Sequence, residues 1–367
     1  MIVRRLKLEG FRNYRSAEAE FHPGINVIVG ENAQGKTNLL EAVGYFSGCR
    51  SHRTRAEREL IHFDRQEAAL ELELTSRGRD FRLQARLARG VRRQLWSNGV
   101  RQKSAAGLDG ILNTVLFCPE DLSLIKAGAA ERRRFLDEAI GQLRPRYAEA
   151  IAEYRKLQES KTRILRDWQD QPAMMDTLDT YSLRMCRVGA QIVRYRARYL
   201  AQLGRFAPGI HREFSGGREE LGLRYQTVKT VTDPSAPLEE VFSQLLEHMR
   251  AHRRAELESR SCLSGVHKDD LIVEINGVSA RTYGSQGQTR TAALSLKLAE
   301  REVSRDDQGE APVLLLDDVL SELDARRQEF VLNRIGGGQV LITCCEEETP
   351  GRLRAGKVLR VHGGALV

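Results

Sequence analysis

Residues 30 to 37 read Gly30-Glu31-Asn32-Ala33-Gln34-Gly35-Lys36-Thr37. They follow the β-branched run Ile25-Asn26-Val27-Ile28-Val29 and lead into Asn38-Leu39-Leu40-Glu41-Ala42-Val43, which has the apolar spacing of a helix. A strand, a glycine loop and a helix in this order are typical of a phosphate-binding loop, because glycines let backbone N–H groups wrap a polyphosphate at a positive helix N-terminus. The sequence therefore predicts an ATP site at residues 30 to 38, with Lys36 on the β and γ phosphates and the Thr37 hydroxyl on Mg²⁺.

A protein with such a loop also needs an acidic residue at the end of a neighbouring buried strand to hold Mg²⁺. The apolar run Val313-Leu314-Leu315-Leu316 ends in Asp317-Asp318, which makes Asp317 the candidate metal ligand. Kinases and small GTPases usually complete this pairing much sooner in the chain. The two halves of the site must therefore be joined around a long insertion.

Two further segments resemble ABC ATPases. Ser285-Gln286-Gly287-Gln288 precedes a helix expected from about Thr289 and resembles the ABC signature, while Ser321-Glu322-Leu323-Asp324 resembles the D-loop. The resemblance implies that Ser285, Gly287 and Gln288 complete the ATP site of a second subunit, in an ATP-dependent head-to-head homodimer that hydrolysis releases. The ordinary alternative for Ser285 is a simple helix cap.

Longer motifs resemble the bacterial recombination-repair RecF family, which are short relatives of the SMC-type ABC ATPases. In chain order they are Leu8-Glu9-Gly10-Phe11-Arg12-Asn13-Tyr14, the loop already quoted, Ser51-His52-Arg53-Thr54, Pro119-Glu120-Asp121-Leu122, Arg132-Arg133-Arg134-Phe135-Leu136-Asp137 and Leu314 to Asp324. The resemblance implies an α/β fold: an ABC-type P-loop ATPase head, with a mixed sheet and flanking helices, plus a helical second lobe with a short antiparallel helical hairpin.

The resemblance also implies a function in DNA repair, replication, recombination and the SOS response. The protein would bind double-stranded and gapped or junction DNA, dimerise on ATP, and help to load the RecA recombinase with RecO and RecR. Hydrolysis of ATP with Mg²⁺ would be slow and stimulated by DNA. His52, Arg53 and residues 119 to 121 are expected to couple the nucleotide to DNA.

Some positions depart from the usual pattern. Asp318 stands where many ABC ATPases have a glutamate general base, and its shorter side chain suits slow turnover. Family members usually have glycine in place of Ala33, and Gly-Pro-His-Arg-Asp-Asp-Leu in place of Gly265-Val266-His267-Lys268-Asp269-Asp270-Leu271. No histidine follows Val340-Leu341-Ile342-Thr343, so Thr343 is a candidate sensor of the γ-phosphate.

The motifs divide the chain into three segments: 1-130 and 256-367 as the two halves of the ATPase head, and 131-255 as a helical insertion. Apolar residues spaced by three and four from Leu136 to Trp168 and from Leu178 to Tyr199 predict a helical hairpin, in which Pro145 restarts the first helix. Roughly 25 residues from Pro145 span about 37 Å, far less than the arms of chromosome-organising relatives.

The net charge of +8 and the pI of about 9.3 favour an anionic partner. Basic residues concentrate in two acid-free stretches, Phe81 to Lys103, which reads as a hairpin turning at Asn98-Gly99, and Thr180 to Arg212. The alternative for either stretch is a solvated face. The candidate DNA contacts are Arg92, Arg93, Arg101, Arg194 and Arg198.

Other features limit the class of protein. No apolar run approaches the roughly 18 residues that cross a bilayer, so no membrane association and a cytoplasmic location are expected. Six cysteines without metal spacing, two of them in the apolar strand that contains Cys344-Cys345, predict buried reduced thiols. The competing interpretations are an ABC transporter ATPase subunit, a chromosome-organising SMC-like head, and a binding scaffold whose hydrolysis is vestigial.

Overall fold

The computed structural model describes residues 1–54, 56–345 and 356–367. The strands are β1 (Ile2–Phe11), β2 (Tyr14–Glu20), β3 (Ile25–Val29), β4 (Glu67–Ser76), β5 (Arg79–Ala88), β6 (Val91–Ser97), β7 (Val100–Gln102), β8 (Thr114–Phe117), β9 (Leu221–Gln226), β10 (Asp270–Ile275), β11 (Val278–Ser279), β12 (Val313–Asp317), β13 (Val340–Cys344), β14 (Lys357–His362) and β15 (Ala365–Leu366). The helices are α1 (Lys36–Tyr45), α2 (Ala129–Leu143), α3 (Pro145–Asp167), α4 (Met175–Phe214), α5 (Leu238–Ser259), α6 (Ala280–Tyr283), α7 (Gln286–Gln308) and α8 (Ala325–Arg334).

The chain forms two compact units, Met1–Leu122 with Lys297–Val367, and Ser123–Leu296. The first unit contains an antiparallel sheet in the order β2-β1-β4-β5-β6-β7 and a second sheet in the order β15-β14-β3-β13-β12-β8. In the second sheet, β14, β3, β13, β12 and β8 run parallel, and every residue of β12 and β13 is buried. Such continuous burial explains why these strands read as unbroken apolar runs in the sequence.

One hydrophobic core joins the layers of the first unit. It includes alternating leucines of β1 and β4, the inner face of α1, and apolar residues of β12 and β13. The core fixes α1 against β12 and β13, so the loop that precedes α1 is held at the carboxyl ends of the parallel strands.

The second unit contains the predicted helical hairpin. Helix α3 begins with Pro145 at its first turn, as the sequence predicted, and α4 packs along α3 after a 3-10 turn at Pro172–Met174. Helix α4 is 40 residues long, which corresponds to about 60 Å. It extends well beyond the predicted spacing that ended at Tyr199.

The unit boundaries differ from the segments expected from the motifs. Residues 256 to 296, assigned by sequence to the ATPase head, lie in the second compact unit with the helices. The reason is strand pairing: β10 forms a three-stranded sheet with β9 and β11, and β10 also contacts α2.

Two expectations about composition can be compared with the fold. No helix in the described part of the chain is long and apolar enough to cross a membrane. All six cysteines are free, and Cys49, Cys186, Cys262 and Cys344 are buried. Cys345 corrects the prediction of buried thiols, because β13 ends at Cys344 and leaves Cys345 exposed.

Candidate functional site

The two halves of the predicted ATP site meet in the first unit. Strand β13 lies between β3 and β12, so the residues that follow β3 and β12 lie at the same edge of the sheet. There the Thr37 hydroxyl donates a hydrogen bond of 2.9 Å to Asp317 Oδ1, across 280 residues of sequence. The contact joins the candidate metal ligands.

Thr343 holds the acidic end of the site. It lies opposite Asp317 in the parallel pairing of β12 and β13. Its hydroxyl donates to Asp317 Oδ1 over 2.9 Å and accepts the backbone N–H of Asp318 over 2.8 Å. One side chain therefore fixes both aspartates, a role that the sequence analysis did not assign to it.

Asp318 has a constrained backbone and a perturbed carboxyl group. Its φ is 51°, which lies in the left-handed region. Burial raises the pKa of Asp318, with the Lys36 ammonium opposing the rise and the neighbouring Asp317 adding to it. Such an environment is typical of a carboxylate at a functional site.

The loop itself has backbone shapes that favour glycine. Gly35 has a φ of 121°, and a Cβ on Gly30 would lie 2.4 Å from the carbonyl oxygen of Val361. Ala33 has a φ of 63°, so the position where relatives usually have glycine is left-handed here as well. Lys36 Nζ donates to the carbonyl oxygens of Gly30 over 2.6 Å and Glu31 over 3.0 Å, which places its ammonium group across the loop.

Residues at the turn from β1 into β2 contact the backbone of this loop. The Tyr14 hydroxyl donates to the carbonyl oxygen of Gly35 over 3.0 Å, and Asn13 Nδ2 donates to that of Gln34 over 2.8 Å. Asn38 Nδ2 in turn donates to Asn13 Oδ1 over 2.8 Å. In the sequence, Asn13 and Tyr14 are part of the family motif Leu8 to Tyr14, and that motif is the signal that could point to them.

A buried ion pair fastens α1 to the same support. Glu41 is completely buried and accepts two hydrogen bonds from the Arg12 guanidinium, of 2.8 and 2.7 Å. Arg53 donates to Asn38 Oδ1 over 2.7 Å and lies 3.7 Å from Glu41. Burial lowers the pKa of His52, while the carboxylates of Glu41 and Asp317 oppose this effect. The motif at residues 51 to 54 is thus adjacent to the loop helix, and its coupling to DNA stays a prediction.

The signature-like segment lies in the second unit and is a reciprocal helix cap. The Gln288 N–H donates to Ser285 Oγ over 3.2 Å, and the Ser285 N–H donates to Gln288 Oε1 over 2.9 Å. This is a capping box at the start of α7. Gln288 Nε2 also donates to Glu219 Oε1 over 3.0 Å, and the Ser285 side chain is exposed. The capping role and a phosphate-binding role are compatible, because the serine oxygen only accepts within the cap.

In the basic stretch from Phe81 to Lys103, several arginines form ion pairs with acidic residues. Arg82 pairs with Glu71 and Arg86 with Glu67, because β5 lies beside the acidic strand β4. Arg93, a candidate DNA contact, is partly buried, pairs with Glu57 and donates to the carbonyl oxygen of Cys49 over 2.6 Å. The structure therefore gives Arg93 a local structural contact.

Other candidate arginines are exposed. Arg92 and Arg101 are exposed beyond the paired arginines of β5, and β6 and β7 form the hairpin that turns at Asn98-Gly99, as predicted. On α4, Arg194 and Arg198 are exposed one turn apart. Arg196 between them is buried against Asp137 and Asp269.

Comparisons with known proteins identify the family of the chain. The family model described as RecF/RecN/SMC N terminal domain matches residues 2–361. The chain is 40% identical to the DNA replication and repair protein RecF of Bacillus subtilis, over 100% of both chains. The chain belongs to the RecF family. It is also 37% identical to the RecF of Lachnospira eligens, over 100% of this chain and 99% of that one.

Solved structures confirm the predicted fold. The structure of the recombination mediator protein RecF-ATPrS in the RecFOR pathway is 30% identical and has a TM-score of 0.92, covering 99% of this chain and 97% of that chain. An Smc head domain derived from Pyrococcus furiosus is 17% identical, with a TM-score of 0.57, and covers 100% of this chain and 95% of its own. The RecF match confirms the RecF resemblance, and the Smc match supports the ABC-type head fold alone.

Proposed function

We propose that this RecF family member is an ATP-dependent DNA-binding protein of recombinational repair. The observation that carries the proposal is the 2.9 Å contact between Thr37 Oγ1 and Asp317 Oδ1, which joins the phosphate loop to the acidic strand end. Both are hard oxygen donors, the type that Mg²⁺ prefers. The residues present therefore fit a nucleotide with its metal ion, and the ATP-bound RecF relatives support ATP as the ligand.

The residues of this chain take separate roles in the proposed site. Backbone N–H groups of residues 30 to 38 bind phosphate oxygens, and the Lys36 ammonium lies across the loop where it can bind the β and γ phosphates. Thr37 and Asp317 would hold Mg²⁺, and the ion would supply neutralisation of the phosphate charge. Asp318 orients the attacking water, and Thr343 keeps both aspartates in position.

Turnover is expected to be slow. The Asp318 carboxylate is one methylene shorter than a glutamate, and its backbone is fixed in a left-handed conformation, so its reach toward a water is limited. Slow hydrolysis suits a switch, in which binding closes an assembly and hydrolysis opens it.

The second part of the proposal is a composite site. Ser285, Gly287 and Gln288 would face the γ-phosphate on the partner subunit of an ATP-dependent homodimer. The serine is exposed at the positive end of α7, which spans 23 residues. That position suits an anionic ligand supplied by another chain.

DNA contact is proposed for exposed arginines that form no ion pair with any residue that the structure describes: Arg92 and Arg101 on the edge hairpin, and Arg194 and Arg198 on α4. Such contacts bind the phosphate backbone without reading sequence, so double-stranded and gapped DNA are suitable ligands. Arg93 is left out because its guanidinium is committed to Glu57. The RecFOR pathway of the solved relative supports RecO and RecR as partners in loading the RecA recombinase.

Sedimentation of the chain with ATP, with ADP, and with each plus gapped DNA tests this function. We expect a dimer with ATP, a monomer with ADP, and a larger dimer fraction when gapped DNA is added. A Lys36→Ala variant is the control and should stay monomeric with ATP. A monomer under every condition would exclude the composite site, and a dimer indifferent to DNA would favour a scaffold or a transporter-type subunit.

A further inference from the structure

Lys126 contacts the backbone immediately before the signature-like segment. Its Nζ donates to the carbonyl oxygen of Gly284 over 2.8 Å and to that of Arg281 over 3.0 Å. Gly284 directly precedes Ser285, and Arg281 belongs to the short helix α6. The ammonium group thus joins the two ends of the four-residue segment that leads into the capping box.

The backbone around Lys126 is fixed by a buried arginine. Arg132 is 2% exposed, and its Nη1 donates to the carbonyl oxygens of Ala127 over 2.6 Å and Ile125 over 3.1 Å. The rest of its guanidinium forms a two-pronged pair with Asp270 of β10, with distances of 2.7 and 2.8 Å. Arg132 thereby ties residues 125 to 127 to the sheet of the second unit.

Space around Gly284 is also restricted. A Cβ at this position would lie 2.4 Å from the carbonyl oxygen of Ala280 and 2.9 Å from Thr289 Cγ2. The backbone before Ser285 therefore has little freedom on its inner side, and the Lys126 bonds hold its two carbonyl groups. The series Asp270, Arg132, Lys126, Gly284 leads from a buried strand to the exposed serine.

We propose that Lys126 is a positioning residue for the signature-like segment, held in place by the Arg132–Asp270 pair. It sets where the Ser285 hydroxyl meets the phosphate of a second copy of this chain. The inference rests on the proposed function, since it needs the segment to act on a partner's nucleotide. It adds that the Lys126 side chain, 159 positions before Ser285 in the sequence, determines whether that contact is productive. Its Nζ holds the backbone through the 2.8 Å hydrogen bond to the carbonyl oxygen of Gly284.

Because Lys126 is exposed, its effect on the position of the signature-like segment can be measured apart from its effect on the stability of the fold. Its side chain lies at the surface, so its hydrogen bonds compete with water and add little to the free energy of folding. A Lys126→Met variant should therefore melt within about 2 °C of the parent chain. Displacement of the signature-like segment in this variant should nevertheless lower the rate of ATP hydrolysis. Small displacements of groups that act on a reacting phosphate reduce reaction rates strongly.

The test compares Lys126→Met with Lys156→Met, a control in which an exposed lysine of the same unit is removed. Binding of a fluorescent ATP analogue by dilute monomer, dimerisation with ATP and ATP hydrolysis are measured for each. For Lys126→Met we expect unchanged monomer binding and hydrolysis lowered about tenfold or more, with weaker dimerisation. Lys126→Arg should restore most of both, because a guanidinium can donate to the same two carbonyl groups.

A Ser285→Arg variant distinguishes the possible failures. If Ser285→Arg lowers dimerisation while Lys126→Met behaves like Lys156→Met, the positioning role is wrong and the composite site stands. If neither variant affects dimerisation or hydrolysis, the proposed function itself fails. A loss of activity in Lys126→Met accompanied by a large drop in melting temperature would also overturn the inference, because it would indicate a general structural role.

Discussion

At the residue scale, a single oxygen atom organises the candidate site. Asp317 Oδ1 accepts hydrogen bonds from the hydroxyls of Thr37 and Thr343, each over 2.9 Å. The two donors come from helix α1 and strand β13, so the aspartate position depends on the packing of α1 and on the pairing of β12 with β13. Thr343 also accepts the Asp318 N–H, which stabilises a left-handed aspartate that would otherwise cost about 1 kcal/mol.

A titration prediction belongs to His267. Its Nε2 lies 3.2 Å from the carbonyl oxygen of Cys262, so Nε2 must carry the hydrogen and Nδ1 accepts from the Tyr154 hydroxyl over 3.0 Å. Burial lowers the pKa of His267 to about 4. The unfolded chain, with an ordinary histidine pKa, takes up this proton earlier as pH falls. The contribution to stability is therefore complete above about pH 6.5 and is lost as pH falls toward 4.

The measurement is urea unfolding between pH 7 and pH 4.5. The parent chain should lose about 1 kcal/mol per pH unit through His267 in the lower part of this range, and His267→Gln should lose correspondingly less. Gln191→Ala is the control: it replaces an exposed side chain of α4 that carries no titratable group, so the slope should stay as it is in the parent. Equal slopes for the parent and His267→Gln would contradict a buried neutral imidazole.

At the scale of elements, the sequence predicted local secondary structure well and predicted contacts between distant residues poorly. The bounds of β3 and the start of β12 agree with the runs quoted from the sequence, because buried parallel strands are rich in apolar and β-branched residues. Gly30 follows β3, and Asp317 ends β12. The start of α3 at Pro145 was likewise predictable, since proline fits the first helical turn. The ion pair between Arg93 and Glu57 was not predictable, because the two residues are 36 positions apart and no local pattern connects them.

The basic hairpin shows the same limit and yields a prediction. Charge in the stretch from Phe81 to Lys103 is partly cancelled by β4, which the linear sequence does not reveal. We expect Arg92→Gln with Arg101→Gln to weaken duplex DNA binding and to flatten the slope of log affinity against log salt by about 2. ATP binding should be unchanged, because neither residue contacts the phosphate loop.

Salt-dependent binding of a short fluorescent duplex measures this slope. The control, Arg82→Gln with Arg86→Gln, removes the same charge from arginines already paired with Glu71 and Glu67, and should change the slope little. If both double variants lose the same affinity, general charge and not the exposed edge determines binding. If Arg92→Gln with Arg101→Gln binds like the parent, the hairpin is a solvated face.

At the scale of the whole molecule, the proposed function assigns one half-site to each unit of the chain. The first unit provides the phosphate loop and the acidic strand end, and the second provides the signature-like cap with the residues that hold it. Closed dimers with two-fold symmetry are the commonest assemblies of identical chains. In such a dimer, the phosphate loop of each chain can meet the signature-like segment of the other, which gives two complete sites. In the proposed dimer, ATP would link two copies, and its hydrolysis would release them from DNA.

Mixing two inactive variants measures this claim most directly. Lys36→Ala lacks a working phosphate loop and Ser285→Arg lacks a working signature-like segment, so each alone should neither dimerise with ATP nor hydrolyse it. A mixed dimer combines the intact loop of one chain with the intact segment of the other. Because neither variant dimerises alone, every dimer in the mixture is a mixed one, with one intact site out of two. We predict that an equal mixture regains ATP hydrolysis at up to about half of the parent rate, together with ATP-dependent dimers. A mixture as inactive as its components, in both dimerisation and hydrolysis, would contradict the composite site.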